Sequence, residues 1–154
     1  MSTLIAKHAQ GLGLKMVDAK KAMTIEVIIT DIRKSVQKDP RKCAFAMACR
    51  RNDKEIFAAY FFRSTAWLEY EDKMVRYILP MSVQKEIVAY DRGGEVKPGT
   101  FQLSPPKGSH TLKAARARSK ERKEHPAGNG KIKRRVKHVI GIRTMHDQKA
   151  SDDD

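Results

Sequence analysis

Cysteine is scarce, with two residues in 154. Two thiols cannot staple a chain of this length, which excludes a disulfide scaffold. Aromatic residues make up only 6%. No run approaches the ~20 apolar residues that a membrane-spanning helix needs. The first residues also lack an apolar stretch of leader length, so the expected setting is reducing and cytoplasmic. Spacings of the C-x-x-C or H-x-x-x-H type are missing, so no metal is expected. Gly11-Leu12-Gly13 is not a phosphate loop, because no strand precedes it and the second half of that motif is absent. Neither a nucleophile motif nor an acid–base pair is marked by spacing. The expectation is a non-enzymatic protein without a cofactor.

What is abundant is positive charge, and it is unevenly placed. The formal net charge is +14, from 32 Lys and Arg against 18 Asp and Glu. Residues 1–22 and residues 23–104 each carry a net of +3. Residues 105–150 hold 14 basic and three acidic residues, a net of +11, and Asp152–Asp154 add three negative charges at the end. The chain therefore divides into an N-terminal arm (1–22), read as flexible, a near-neutral core (23–104) and a basic C-terminal tail (105–154). The tail has too few large apolar residues to build a core of its own.

The core reads as α+β. Met23 to Thr30 alternates, with Ile25, Val27 and Ile29 on one face, and predicts a strand. Thr30 then offers a helix cap, with Ile32 and Val36 spaced on one face of a short helix. Asp39-Pro40 predicts a second helix start, followed by the helix-favouring Ala44, Ala46, Met47 and Ala48. Ile56 to Arg63 is apolar almost throughout, which suggests a central strand covered on both faces. Its aromatics also leave room for a homodimer interface. Ala66–Tyr70 and Met74–Leu79 predict two further strands. Val83, Ile87 and Tyr90 mark the buried face of a helix stopped by Gly93 and Gly94. Thr100–Leu103 is a last short strand. The simplest architecture is a small, mainly antiparallel sheet with two helices on one face, ferredoxin-like βαββαβ or a variant of it.

Within the core, Asp39-Pro40-Arg41-Lys42-Cys43-Ala44-Phe45-Ala46-Met47-Ala48 forms a D-x-x-x-C-x-x-A-x-A element. Leu79-Pro80, Tyr90-Asp91-Arg92-Gly93 and Lys97-Pro98-Gly99-Thr100-Phe101 follow it. The set resembles short uncharacterised phage and prophage proteins across residues 23–104. It departs from them at Ala44, where many carry proline. The resemblance implies a phage-like origin, and thus a host cytoplasm, but no activity.

Cys43 and Cys49 lie on different sides of one helix, and Cys43 is read as a small buried residue, with a reactive thiol at a helix start as the sharper alternative. The basic tail is the strongest signal. Thr111 to Glu124 predicts a helix capped by Ser109 or Thr111, covering 111–124. Lys113, Arg116 and Lys120 share one face, with Arg118 and Arg122 beside it. His125–Gly130 breaks it, and Lys131–Arg143 reads as extended, with Lys133, Arg134, Arg135 and Lys137. Cations at this density neutralise phosphates, so these nine residues are the candidate nucleic-acid contacts, with DNA and RNA both open. Trp67 or Tyr70 offers a surface for base stacking, although core packing suits Trp67 better. An acidic host protein is the other partner considered, and a plain solubility role is the bland one. The alternative function is a phage-type module that blocks a host protein or sequesters a small nucleotide, with Arg63, Arg76 or Arg92 on phosphate.

Overall fold

Every second residue of the strands turns to the opposite face of a sheet. Here both faces are covered. The computed structural model describes residues 3–125. Its central sheet holds β1 (Lys15–Asp18), β3 (Ala58–Phe61), β4 (Thr65–Glu69) and β5 (Lys73–Ile78) in the order β1-β5-β4-β3. The pairs β3–β4 and β4–β5 are antiparallel, whereas β1 runs parallel to β5. A second, two-stranded sheet pairs β2 (Met23–Val27) with β6 (Gly99–Leu103) antiparallel. Mutual hydrogen bonds between Ile78 and Ser104 tie the two sheets together.

One face of the central sheet, with Ala59, Phe61, Ala66, Leu68, Val75 and Tyr77, carries the larger core. It packs against α3 (Ala44–Asn52), Val83 of α4 (Met81–Asp91), and Ile25, Val27 and Leu103 of the small sheet. The alanines of α3 let its backbone approach closely, and Phe45 fills the middle, stacked on Phe61 at 5.8 Å and edge-on to Phe101 at 5.1 Å. The other face, with Ala58, Tyr60, Trp67 and Met74, packs against Ile5 and Ala9 of α1 (Thr3–Gly11) and Leu112 of α5 (Leu112–Glu124).

The structure is α+β with a small, mainly antiparallel sheet. Several finer expectations are corrected. Helices lie on both faces, not one. The ferredoxin-like order is not formed, because the first and last core strands, β2 and β6, leave the central sheet and pair with each other. Within the stretch read as a flexible arm, residues 3–18 supply α1 and the edge strand β1. Within the apolar run, β3 is covered on both faces, yet it lies at the sheet edge rather than in its centre. Its Phe61 N–H is capped by the Pro40 carbonyl, which partly closes that edge. Tyr60 and Phe61 are thereby consumed within the chain.

Helix starts also move. Thr30 lies inside α2 (Ile29–Lys34), and the capping acceptor is Asp31, whose carboxylate takes the Ile28 N–H at 3.1 Å. Arg51 holds that carboxylate from α3. Asp39 does not start α3; its carboxylate takes the Arg41 N–H in an Asx turn, and α3 begins after Cys43. The turn residue Lys38 has φ +60° and is fixed by its N–H bond to Asp91. Among the described residues no helix is long and apolar enough to cross a membrane.

Both thiols are buried and free. Burial pushes the Cys43 thiol up from its ordinary 9.0 to about 11, and raises Cys49 further for the same reason. A thiolate is therefore suppressed, which removes Cys43 as a reactive group. The folded chain keeps these protons at a pH where the unfolded chain releases them. Their stabilisation is thus complete below about pH 9 and is lost as pH rises toward 11. Denaturant midpoints measured from pH 8 to 11 are expected to fall over this window. The fall should be shallower in a Cys43→Ala, Cys49→Ala variant, and equal slopes would remove the thiols as its cause.

Candidate nucleic-acid interface

The register of the central sheet sets four residues in one row: Asp18 on β1, Arg76 on β5, Trp67 on β4 and Tyr60 on β3. Arg76 stands between Val75 and Tyr77 in the buried stretch of β5 and is 7% exposed. A guanidinium in such a place must be paired and hydrogen-bonded. Its Nε donates to Asp18 Oδ1 at 3.0 Å, its Nη2 donates to the carbonyl of His110, and its plane lies 5.8 Å from the Trp67 ring. The second oxygen of Asp18 accepts the Leu112 N–H at 2.7 Å.

This places a carboxylate at the start of α5, where the helix dipole and unpaired N–H groups favour negative charge. Thr111 adds a cap, its Oγ1 accepting the Ala114 N–H at 3.2 Å. Gly108, at φ +55°, permits the tight turn at Gly108–His110 that brings the chain to Arg76. Arg118 closes back on this turn, donating to the Ser109 carbonyl at 2.8 Å. The start of the basic segment is thus built into the folded unit, which extends to Arg118.

Beyond Leu112, α5 has only alanines as apolar residues, and Lys113, Arg116 and Arg118 are exposed. Lys120 and Arg122 are exposed further along the helix, in the unit that begins at Ser119, as is Lys123. Lys120 pairs with Glu124 at 3.6 Å; among the described residues Lys113, Arg116 and Arg122 form no ion pair. Lys133, Arg134, Arg135 and Lys137 lie outside the described residues, as does the Asp152–Asp154 end.

Neither aromatic suggested for stacking is available as a platform. Trp67 is 1% exposed beneath Arg76, and Tyr70 is half-buried against the larger core. The aromatic that sequence reading passed over is Phe57, 60% exposed in a shallow basin with Met47, Arg50, Arg51 and Lys54. Its signal was faint: it stands one position before β3, where the apolar run meets the charged stretch at 53–55.

A second polar cluster holds α1 to the same sheet face. Tyr60 OH donates to Glu69 Oε2 at 3.0 Å, and His8 Nε2 lies 3.0 Å from that oxygen and 2.9 Å from the tyrosine hydroxyl. Burial and the Glu69 carboxylate push Tyr60 up to about 12. The hydroxyl therefore keeps its proton, and its donation is committed to Glu69. That chemistry suits an anchor rather than an activated nucleophile. No group of three metal-ligating side chains occurs among the described residues.

Removing Asp18 leaves a buried guanidinium without its counter-charge. Asp18→Ala is expected to cost about 3–5 kcal/mol. It should also speed hydrogen exchange at the Leu112–Ala115 amides more than the global loss of stability explains. Asp18→Asn, which keeps an acceptor, should fall between. Equal exchange in wild type and variant would show that α5 is held by other contacts. Comparison of the chain with models of protein families, with curated proteins and with solved structures found no match.

Proposed function

We propose that this protein binds nucleic acid without catalysing a reaction, using the cationic helix α5 and the basic residues that follow it as phosphate contacts. The observation that carries this reading is the exposure of Lys113, Arg116 and Arg118 on the stretch of α5 whose first turn is fastened into the folded sheet. An anchored helix presents its cations with less conformational freedom to lose than a loose tail has.

Contacts of this kind position a protein on a phosphate backbone and carry no sequence information by themselves. Their affinity comes from released counterions, so it falls steeply with salt. Phe57, with Arg50 and Lys54 near it, supplies the kind of surface on which an unstacked base packs. This favours single strands as the preferred form.

The test is a salt titration of the full chain against labelled single- and double-stranded DNA and RNA. Five phosphate contacts correspond to a log–log slope of about −3.5 on single strands and about −4.5 on B-form duplex. Arg116→Gln with Arg118→Gln should reduce the slope by about 2 on duplex and weaken all sequences alike. Phe57→Ala should weaken single strands by about 1–3 kcal/mol and leave duplex binding nearly unchanged. Binding that is absent at near-physiological salt, or insensitive to salt, would overturn the reading.

A further inference from the structure

Helix α4 buries Val83 in the larger core, with Ile87 and Tyr90 packed against it. Met81, Lys85, Val88 and Arg92 follow at i, i+4, i+7 and i+11, so they form one stripe on another face. Met81 is 65% exposed. Across this stripe stands Arg63, from the turn between β3 and β4. Together they line a cleft of about 360 Å³.

The position of Arg63 is not accidental. The next residue, Ser64, accepts the Leu79 N–H at 3.0 Å, which ties the β3–β4 turn to the entry of α4. Gln84 reinforces the corner by donating its Nε2 to the Leu79 carbonyl at 2.9 Å, which leaves its Oε1 as an acceptor. Three cations, Arg63, Lys85 and Arg92, therefore converge on one concavity that no carboxylate lines. None of the three forms an ion pair among the described residues. Arg63 also borders a neighbouring cleft with Asp39 and Asp91, but those carboxylates already accept the N–H groups of Arg41 and Lys38.

Like charges gathered in a cleft with low-dielectric walls raise its positive potential and concentrate anions there. Two guanidinium groups match the paired oxygens of a phosphate better than ammonium groups do. Val88 and Met81 add an apolar floor beside the cations, and the volume is of small-ligand size. The geometry points to a nucleotide-phosphate site formed by Arg63, Lys85 and Arg92, with Met81 and Val88 receiving the base. Of the three arginines that the sequence offered for phosphate, Arg63 and Arg92 meet here, whereas Arg76 is spent on Asp18. The site is separate from α5, and its phosphate could belong to a free nucleotide or to a nucleotide at the end of a strand.

The experiment titrates the full chain with a fluorescent nucleoside diphosphate and, in a second arm, with a 5′-phosphorylated trinucleotide. Methyl resonances of Met81 and Val88 are followed in parallel. Saturable one-to-one binding that shifts these methyls is expected with at least one probe. Arg63→Gln and Arg92→Gln should each weaken that binding about tenfold. All three cations are exposed, so unchanged thermal unfolding of the variants checks that the fold persists. Arg116→Gln with Arg118→Gln should leave cleft binding unaltered, which separates this site from the α5 reading. Binding of the diphosphate identifies a free nucleotide as the occupant, and binding of the trinucleotide alone identifies a strand end. Failure of both probes at millimolar concentration overturns the proposal. So does binding that ignores Arg63→Gln and Arg92→Gln, or that disappears only with the α5 substitutions.

Discussion

Arg76 is a permanent charge set among apolar side chains, and the sheet face around it is arranged to make that tolerable. Its partner Asp18 comes from β1, its Nη2 reaches the turn before α5, and Trp67 supplies the ring beneath. Asp18 in turn completes the first turn of α5 through Leu112. A buried ion pair of this kind is weak evidence for stability in itself, since two well-packed apolar residues often do as well. Its effect is on arrangement: three segments distant in sequence must be in place together, or a charge is left bare.

The same economy recurs on the other side of the molecule. Asp31 takes the Ile28 N–H, while Arg51 grips that carboxylate and the Glu26 carbonyl. Asp91 takes the Lys38 N–H and steadies a backbone conformation that a non-glycine residue seldom adopts. In each case a carboxylate fixes the local course of the chain. On α5 six cations stand against two carboxylates, and Arg63, Lys85 and Arg92 line the cleft beside α4 without an acidic neighbour. Those two local concentrations of positive charge are why anions are the ligands that both proposals invoke.

The parts of this fold that were legible in the sequence are those whose patterns are local. The alternation at Ile25 and Val27, the spacing of Val83, Ile87 and Tyr90, and the glycine pair after α4 each act within one element. β1 was not legible because four residues carry no periodicity worth reading, and Met16 and Val17 become a strand only by pairing with β5. Arg76 looked like a surface residue, since its counter-charge lies 58 positions away. Trp67 was correctly favoured for the core. Phe57 was lost in an apolar run whose first aromatic faces water. The α5 cations could be picked out by composition alone, but their attachment to the sheet could not. The meeting of Arg63 with Lys85 and Arg92 depends on a turn closing against a helix entry, which only the tertiary structure brings about.

The parallel pairing of β1 with β5 has a consequence for the closure of the chain. The hydrogen-bonding neighbour of β1 begins at Lys73, and Asp18 meets Arg76 across 58 positions and Leu112 across 94. Closing such loops is entropically costly, and little of the Asp18–Arg76 pairing rewards it until both ends are present. Contacts between α3 and β3 span far fewer positions, so closure entropy disfavours them less than it disfavours the seating of β1. Because one carboxylate serves both Arg76 and the Leu112 N–H, the seating of β1 and the anchoring of α5 are coupled.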